Sequence, residues 1–159
     1  RNNKKSIMKN TIVLLLITFF GVQNMSFTTL PIGDEGPWKT LEKVTFKKKF
    51  DKTLGLYVDQ PVFSKEIKTL NKKEITLKGY IIPLEGYQEQ NYFIFSKFPY
   101  NMCFFCGGAG PETVMEVETK KGKEIKYTSK LITIKGKLKL NGDNVDRLMY
   151  ILEDAQLVK

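Results

Sequence analysis

The stretch Leu131-Ile132-Thr133-Ile134-Lys135-Gly136-Lys137-Leu138-Lys139-Leu140 alternates apolar and polar residues from Ile132 onward. Ile132, Ile134, Leu138 and Leu140 share one face with Gly136, while Thr133, Lys135, Lys137 and Lys139 share the other, the period-two pattern of a strand with one wet side. Glu74 to Ile82 repeats it, with Ile75, Leu77 and Ile81 on one side and Gly79 in the middle. A glycine at the centre of each strand predicts a bulge or sharp bend, which is how a short sheet curls into a barrel.

The remaining elements are read outward from these two. Val44, Phe46 and Phe50 alternate with lysines in an earlier strand, and Thr113 to Thr119 places Met115 and Val117 opposite Val114 and Glu116. Tyr92 to Phe95 is continuously apolar, as in a strand covered on both sides. A short helix is expected over Val62 to Leu70, opened by Pro61. In the tail, Val145, Leu148, Met149 and Leu152 follow the spacing of one buried helical stripe, with Asp143 or Asn144 as the cap. The expected fold is mainly β: a small OB-like barrel of five or six strands over residues 41–159, closed by a C-terminal helix. An open sheet backed by that helix is the alternative.

Residues 1–26 read differently. Lys9 and Asn10 precede an apolar run from Ile12 to Val22, broken only by Thr18 and Gly21, and Ser26 offers a small residue beyond it. A charged start, a short apolar stretch and a small exit residue describe a secretory signal helix, too short for a spanning helix of about 20 residues. Met8 is the expected start, with residues 1–7 ahead of it. Residues 27–40, with the turn-rich Gly33-Asp34-Glu35-Gly36-Pro37, read as a linker, and Trp38 just after them as a packing residue. The expected location is therefore the periplasm or cell envelope, with membrane contact only through residues 1–26 if they stay attached.

Charge and composition exclude several functions. The chain has 159 residues, 26 Lys plus Arg, 17 Asp plus Glu, two cysteines and no histidine. Without imidazole there is no Ser-His-Asp triad, no Cys-His pair and no HExxH zinc site. Removing Arg1, Lys4, Lys5 and Lys9 with the leader takes the 26 bases to 22 against 17 acids, a net charge of +5. Among those 22 bases only Arg147 is arginine, which argues against nucleic acid, because lysine cannot make the planar bidentate contacts that base recognition uses.

The chemistry that remains lies in Pro99-Tyr100-Asn101-Met102-Cys103-Phe104-Phe105-Cys106-Gly107-Gly108-Ala109-Gly110-Pro111-Glu112. Cys103 and Cys106 have the spacing of a redox dithiol, with Cys103 as nucleophile and Cys106 as resolver. The glycines that follow oppose the helix start on which thioredoxin-type sites depend. The two thiolates are equally half of a zinc or copper site, completed by Glu112, by another carboxylate or subunit, or by Met102 and Met115 if the ion is Cu(I). In an exported protein they can instead form a disulfide that staples a turn, worth roughly 2 kcal/mol for so small a loop. Gly107, Gly108 and Gly110 permit positive φ, so the loop is either a tight turn or a nest of N–H groups for a ligand. Tyr100, Phe104 and Phe105 form the candidate pocket wall beside the sulfurs. Of the other carboxylates, Glu85, Glu89, Glu112, Glu116 and Glu118, no two have the spacing of a catalytic pair.

The blocks Pro61-Val62-Phe63-Ser64, Lys73 to Leu84, Cys103-Phe104-Phe105-Cys106-Gly107-Gly108-Ala109-Gly110-Pro111-Glu112 and Ile132 to Leu140 together resemble a family of exported bacterial envelope proteins whose shared domain is of unknown function. The likeness spans about Trp38 to Val158. It implies an OB-like barrel, secretion by a signal peptide and no established enzymatic activity, and some relatives are encoded near envelope ABC-transport components, which points to metal or small-solute handling. Other branches carry Cys-His followed by prolines where this chain has Cys103-Phe104 and then glycines. The function expected is a non-enzymatic exported binding or accessory module that takes a transition metal (zinc or copper) or a thiol-reactive ligand on the cysteine-glycine loop, with an envelope protein as partner. A thiol-disulfide oxidoreductase and a stapled interaction domain are the alternatives.

Overall fold

The computed structural model describes residues 36–52, 54–83 and 91–158. The expected signal helix of residues 1–26, residues 27–35 of the expected linker, Glu85 and Glu89 lie outside the described residues.

The fold is mainly β, built on five strands that close on one another. β3 (Glu74–Ile82), β4 (Tyr92–Ser96) and β5 (Val114–Thr119) run as antiparallel neighbours, following a separate hairpin of β1 (Thr45–Asp51) and β2 (Leu56–Val62). β6 (Ile132–Leu140) returns to pair with Glu74–Gly79 of β3, and β7 (Tyr150–Leu157) enters between β5 and β6. The order β3-β4-β5-β7-β6 closes the barrel, and β7 is antiparallel to β6 but parallel to β5. Closure leaves no barrel strand with an unpaired edge, the usual liability of a small sheet.

The alternation in sequence becomes burial. Ile75 and Leu77 of β3, Ile134 and Leu138 of β6, Phe95 of β4 and Met115 of β5 meet in the interior. Both central glycines sit where the sheet changes course. β3 passes at Gly79 from pairing with β6 to pairing with β4. At Gly136 the β6–β7 register shifts, so that Asp154 and Ala155 of β7 oppose one residue of β6. Asp154 has φ of 54°. A Cβ on Gly136 would lie 2.8 Å from the Glu153 carbonyl oxygen, so only glycine lets the bulge close.

Helix α1 (Gly36–Leu41) packs on this core. Trp38 and Leu41 are fully buried, Trp38 Nε1 donates to the Lys78 carbonyl at 2.8 Å, and the indole stacks on Phe95. Tyr150 Oη donates to the Leu41 carbonyl at 2.8 Å. A fully buried leucine or isoleucine contributes roughly 1.5–3 kcal/mol, so α1 is part of the domain energetically.

Three expectations need correction. The C-terminus is a strand, not a helix: residues 141–149 form an irregular loop and Tyr150–Leu157 is β7. The helical spacing of Val145, Leu148, Met149 and Leu152 is overridden because Asn141 satisfies the loop backbone. Its Nδ2 donates to the carbonyls of Asn144, Arg147 and Leu148, and its Oδ1 accepts from Asn144 N. Tyr150, Ile151 and Leu152 are then all buried between two strands. The helix expected at Val62–Leu70 is the shorter α2 (Lys65–Leu70), capped by Ser64, whose Oγ accepts from Ile67 N. Pro61 does not open it but pairs with Phe46 inside β2. The strand with Phe46 and Phe50 does form, as β1, yet it pairs only with β2 among the described residues and lies outside the barrel.

Candidate functional site

The cysteine-glycine block is the loop from Lys97 to Thr113 that joins β4 to β5. Its neck is pinned by Lys97 N donating to the Thr113 carbonyl at 2.9 Å and by Phe98 N donating to Ser96 Oγ at 3.1 Å. Between these points the chain makes three 3-10 turns, Tyr100–Met102, Phe104–Cys106 and Pro111–Thr113. Cys103 is the hinge of the first two: its N–H donates to Tyr100 O, and its carbonyl accepts from Cys106 N and Gly108 N. The glycines serve this folding. Gly107 ends the second turn with φ of 76°, and a Cβ on Gly108 would lie 2.7 Å from the Met102 carbonyl oxygen. Gly110 leaves room for the Glu112 carboxylate, which occupies the space a Cβ would need. The N–H groups of Gly107 and Gly108 are taken by the carbonyls of Phe104 and Cys103 within the loop.

The two sulfurs differ sharply in environment. Cys103 is fully buried on the outer side of the barrel, in a small cluster with Ile82, Ile94 and Val114, against which Phe104 and Leu148 pack. Cys106 is exposed, and both thiols are free. Desolvation by its surroundings, and after it the neighbouring Cys103, push the Cys106 thiol above the usual cysteine value, while a hydrogen bond with Tyr100 works the other way. Low-pKa cysteines in redox sites have the opposite electrostatics.

The other expected site residues divide. Phe104 lines a groove of about 800 Å³ together with Pro111, whereas Tyr100 and Phe105 are exposed outside its lining. Phe105 meets Phe104 edge-on at 5.4 Å. Met115 lies in the barrel interior and Cys103 in the outer cluster, so the two cannot share an ion. Glu112 is half-buried, and its charge helps burial raise the Tyr150 phenol above its ordinary value, burial being the larger cause. No group of three or more Cys, Asp, Glu or His side chains able to hold a metal is found among the described residues. Met102, on the same loop, is exposed.

The opposite wall of the groove was not legible in sequence. It is the 141–149 loop, with Leu148 and Met149, faced by Leu54 and Val58 of the β1–β2 hairpin. Arg147 holds this loop against the barrel. Its Nε donates to Glu116 Oε2 at 2.7 Å and its Nη2 to Glu118 Oε1 at 2.6 Å, while Leu148 N donates to Glu116 Oε1 at 2.6 Å. The hydrogen-bonded Glu116 carboxylate raises the guanidinium above its ordinary value. Two signals were available: Arg147 is the one arginine besides Arg1, and Glu116 alternates onto the face of β5 opposite Met115.

Residues 31–157 match the family described as "Protein of unknown function (DUF3299)", and the chain belongs to it. No curated protein and no solved structure matches the chain.

Proposed function

We propose that this DUF3299 member is a non-enzymatic, exported binding module that takes a soft metal ion on Cys103 and Cys106, copper(I) before zinc. The observation that carries the reading is the pair of free thiols on one turn, Cys103 buried at its base and Cys106 at the surface, with Cys106 N donating to the Cys103 carbonyl. Two thiolates satisfy a copper(I) ion, which accepts two soft ligands, whereas zinc asks for four. Burial of Cys103 and the raised Cys106 thiol both disfavour attack on a disulfide, which counts for binding over thiol exchange. The strand order β3-β4-β5-β7-β6, with its one parallel pair, fits an OB-like barrel whose loops serve as the ligand side. The signal peptide of residues 1–26 and an envelope partner receiving the ion belong to the same proposal.

The test is anaerobic titration with copper(I) held by a colorimetric chelator. One ion per chain should be withdrawn from the chelator, with an ultraviolet thiolate-to-copper band and with affinity rising with pH as the thiols give up protons. Cys103→Ser with Cys106→Ser should abolish both signals. Equal copper uptake by that double variant would remove the reading.

A further inference from the structure

We propose that the β1–β2 hairpin is a docking element for the surface of an anionic lipid bilayer. The hairpin is a seven-pair ladder, from Thr45 opposite Val62 to Asp51 opposite Leu56. At a rise of about 3.3 Å per residue it extends roughly 20 Å. It shares no strand pairing with the barrel among the described residues. Its apolar side chains are left in solvent where a hairpin folding for its own sake would bury them. Phe46 is 41% exposed, Phe50 49%, Leu54 50%, Leu56 50% and Tyr57 67%. Phe50 and Tyr57 stand opposite each other in the register and meet edge-on at 5.3 Å, giving a preformed aromatic pair next to the turn. Phe46 and Leu54 also line the groove that Phe104 enters, whereas Phe50, Leu56 and Tyr57 lie outside it; neither Cys103 nor Cys106 lines that groove, so the aromatic tip is distinct from the proposed metal site.

Charge selects the occupant. Residues 45–62 hold Lys47, Lys48, Lys49 and Lys52 against Asp51 and Asp59. The ion pairs Lys48–Asp59 and Lys49–Asp143 are both solvent-exposed, so lipid phosphates can compete for these lysines at little cost. An apolar tip backed by lysines, Lys48 on the face of Phe50 and Tyr57 and Lys47 and Lys49 on the other, matches the layered chemistry of an anionic bilayer. Leucine and aromatic rings enter the boundary between headgroups and acyl chains, and lysines lie back along them with their ammonium groups at the phosphates. Each lysine near such a surface strengthens binding roughly fivefold. The cysteine loop also exposes Tyr100, Met102 and Phe105, but residues 98–119 contain no lysine or arginine, so it lacks the second half of this chemistry.

A full-chain Tyr57→Trp variant tests the proposal, because the natural tryptophan, Trp38, is fully buried and the new indole reports the tip alone. With vesicles of phosphatidylcholine and phosphatidylglycerol in equal parts, the tip emission should shift to the blue and be quenched by brominated acyl chains. Vesicles of phosphatidylcholine alone should do neither. Replacing Lys47, Lys48, Lys49 and Lys52 by glutamine should weaken vesicle binding at least tenfold, with an unchanged melting curve showing the fold intact. An unshifted tip emission overturns the proposal, whether the protein stays in solution or sediments with vesicles through another segment. Equal response to uncharged vesicles overturns it as well. So does a blue shift without lipid that grows with protein concentration, which would assign the surface to a second copy of the chain.

Discussion

Arg147 and Glu116 hold the irregular loop before β7 to the outer face of β5 through a charge-assisted contact between residues 31 positions apart. The Glu116 side chain is 4% exposed and that of Arg147 31%, so the two partners carry unequal risk. Removing Arg147 leaves a carboxylate buried with only the Leu148 N–H; removing Glu116 leaves a guanidinium that can reach Glu118 and water. Arg147→Ala should therefore cost roughly 2–3 kcal/mol, at or just below the low end for a buried pair because Arg147 is partly solvated. Glu116→Ala should cost about 1–2 kcal/mol. Urea unfolding of both variants checks the order, and a larger loss for Glu116→Ala would contradict it.

The two thiols should separate kinetically and with pH. In the native protein iodoacetamide should modify Cys106 alone, and Cys103 should react only after unfolding, since it is fully buried. Because the Cys106 value is raised, its alkylation rate should reach half its plateau above the midpoint of an ordinary cysteine, about 8.5. The sign for stability follows. The unfolded thiol loses its proton first, so the folded state binds more protons over this interval and stability falls as pH rises from the ordinary cysteine value through the raised one; below it the contribution is whole. A rate that levels off below pH 8.5 would show a thiol activated for exchange rather than suppressed.

Asn141 substitutes for a helix. Its amide serves three carbonyls and one N–H of the 141–149 loop, and its own backbone N donates to Met149 O at 2.9 Å. Asn141→Ala should cost roughly 1–3 kcal/mol through the groups left unpaired, and Asn141→Asp should lose a similar amount because three acceptors then face a carboxylate. Hydrogen exchange should accelerate at Asn144 while the amides of Leu138 and Leu152, in the barrel ladder, keep their order of protection. A wild-type melting curve for Asn141→Ala would mean that the loop is held by Arg147 alone.

What the sequence disclosed follows from where each stabilising contact comes from. β3 and β6 were legible because their alternation is itself the burial pattern, and β4 because a continuous apolar run is covered on both sides. β2 was not, since Asp59 and Pro61 interrupt any period and the strand exists by pairing with β1, not by burying a face. The tail misled because Val145, Leu148, Met149 and Leu152 are spaced for a helix while Tyr150-Ile151-Leu152 is a strand run like Tyr92 to Phe95. Propensity there lost to two neighbouring strands and one asparagine side chain. At the site, the loop and both sulfurs were visible at once. The burial of Cys103 and the opposite wall at Arg147 and Leu148 were not, because the first depends on Ile82, Ile94 and Val114 of three strands together with Leu148, and the second on Glu116, 32 positions before Leu148.

The parallel pairing of β5 with β7 governs the order in which this barrel can come into being. β7 separates two strands, β5 and β6, that have no pairing with each other, so before Tyr150–Leu157 joins, both present bare edges and the cylinder is an open strip. Of the five barrel strands β7 is the last in chain order, so the other four are made before the one that closes the barrel. Pairings such as β3 with β4 and β4 with β5 do not involve that strand, but the cylinder cannot close without it.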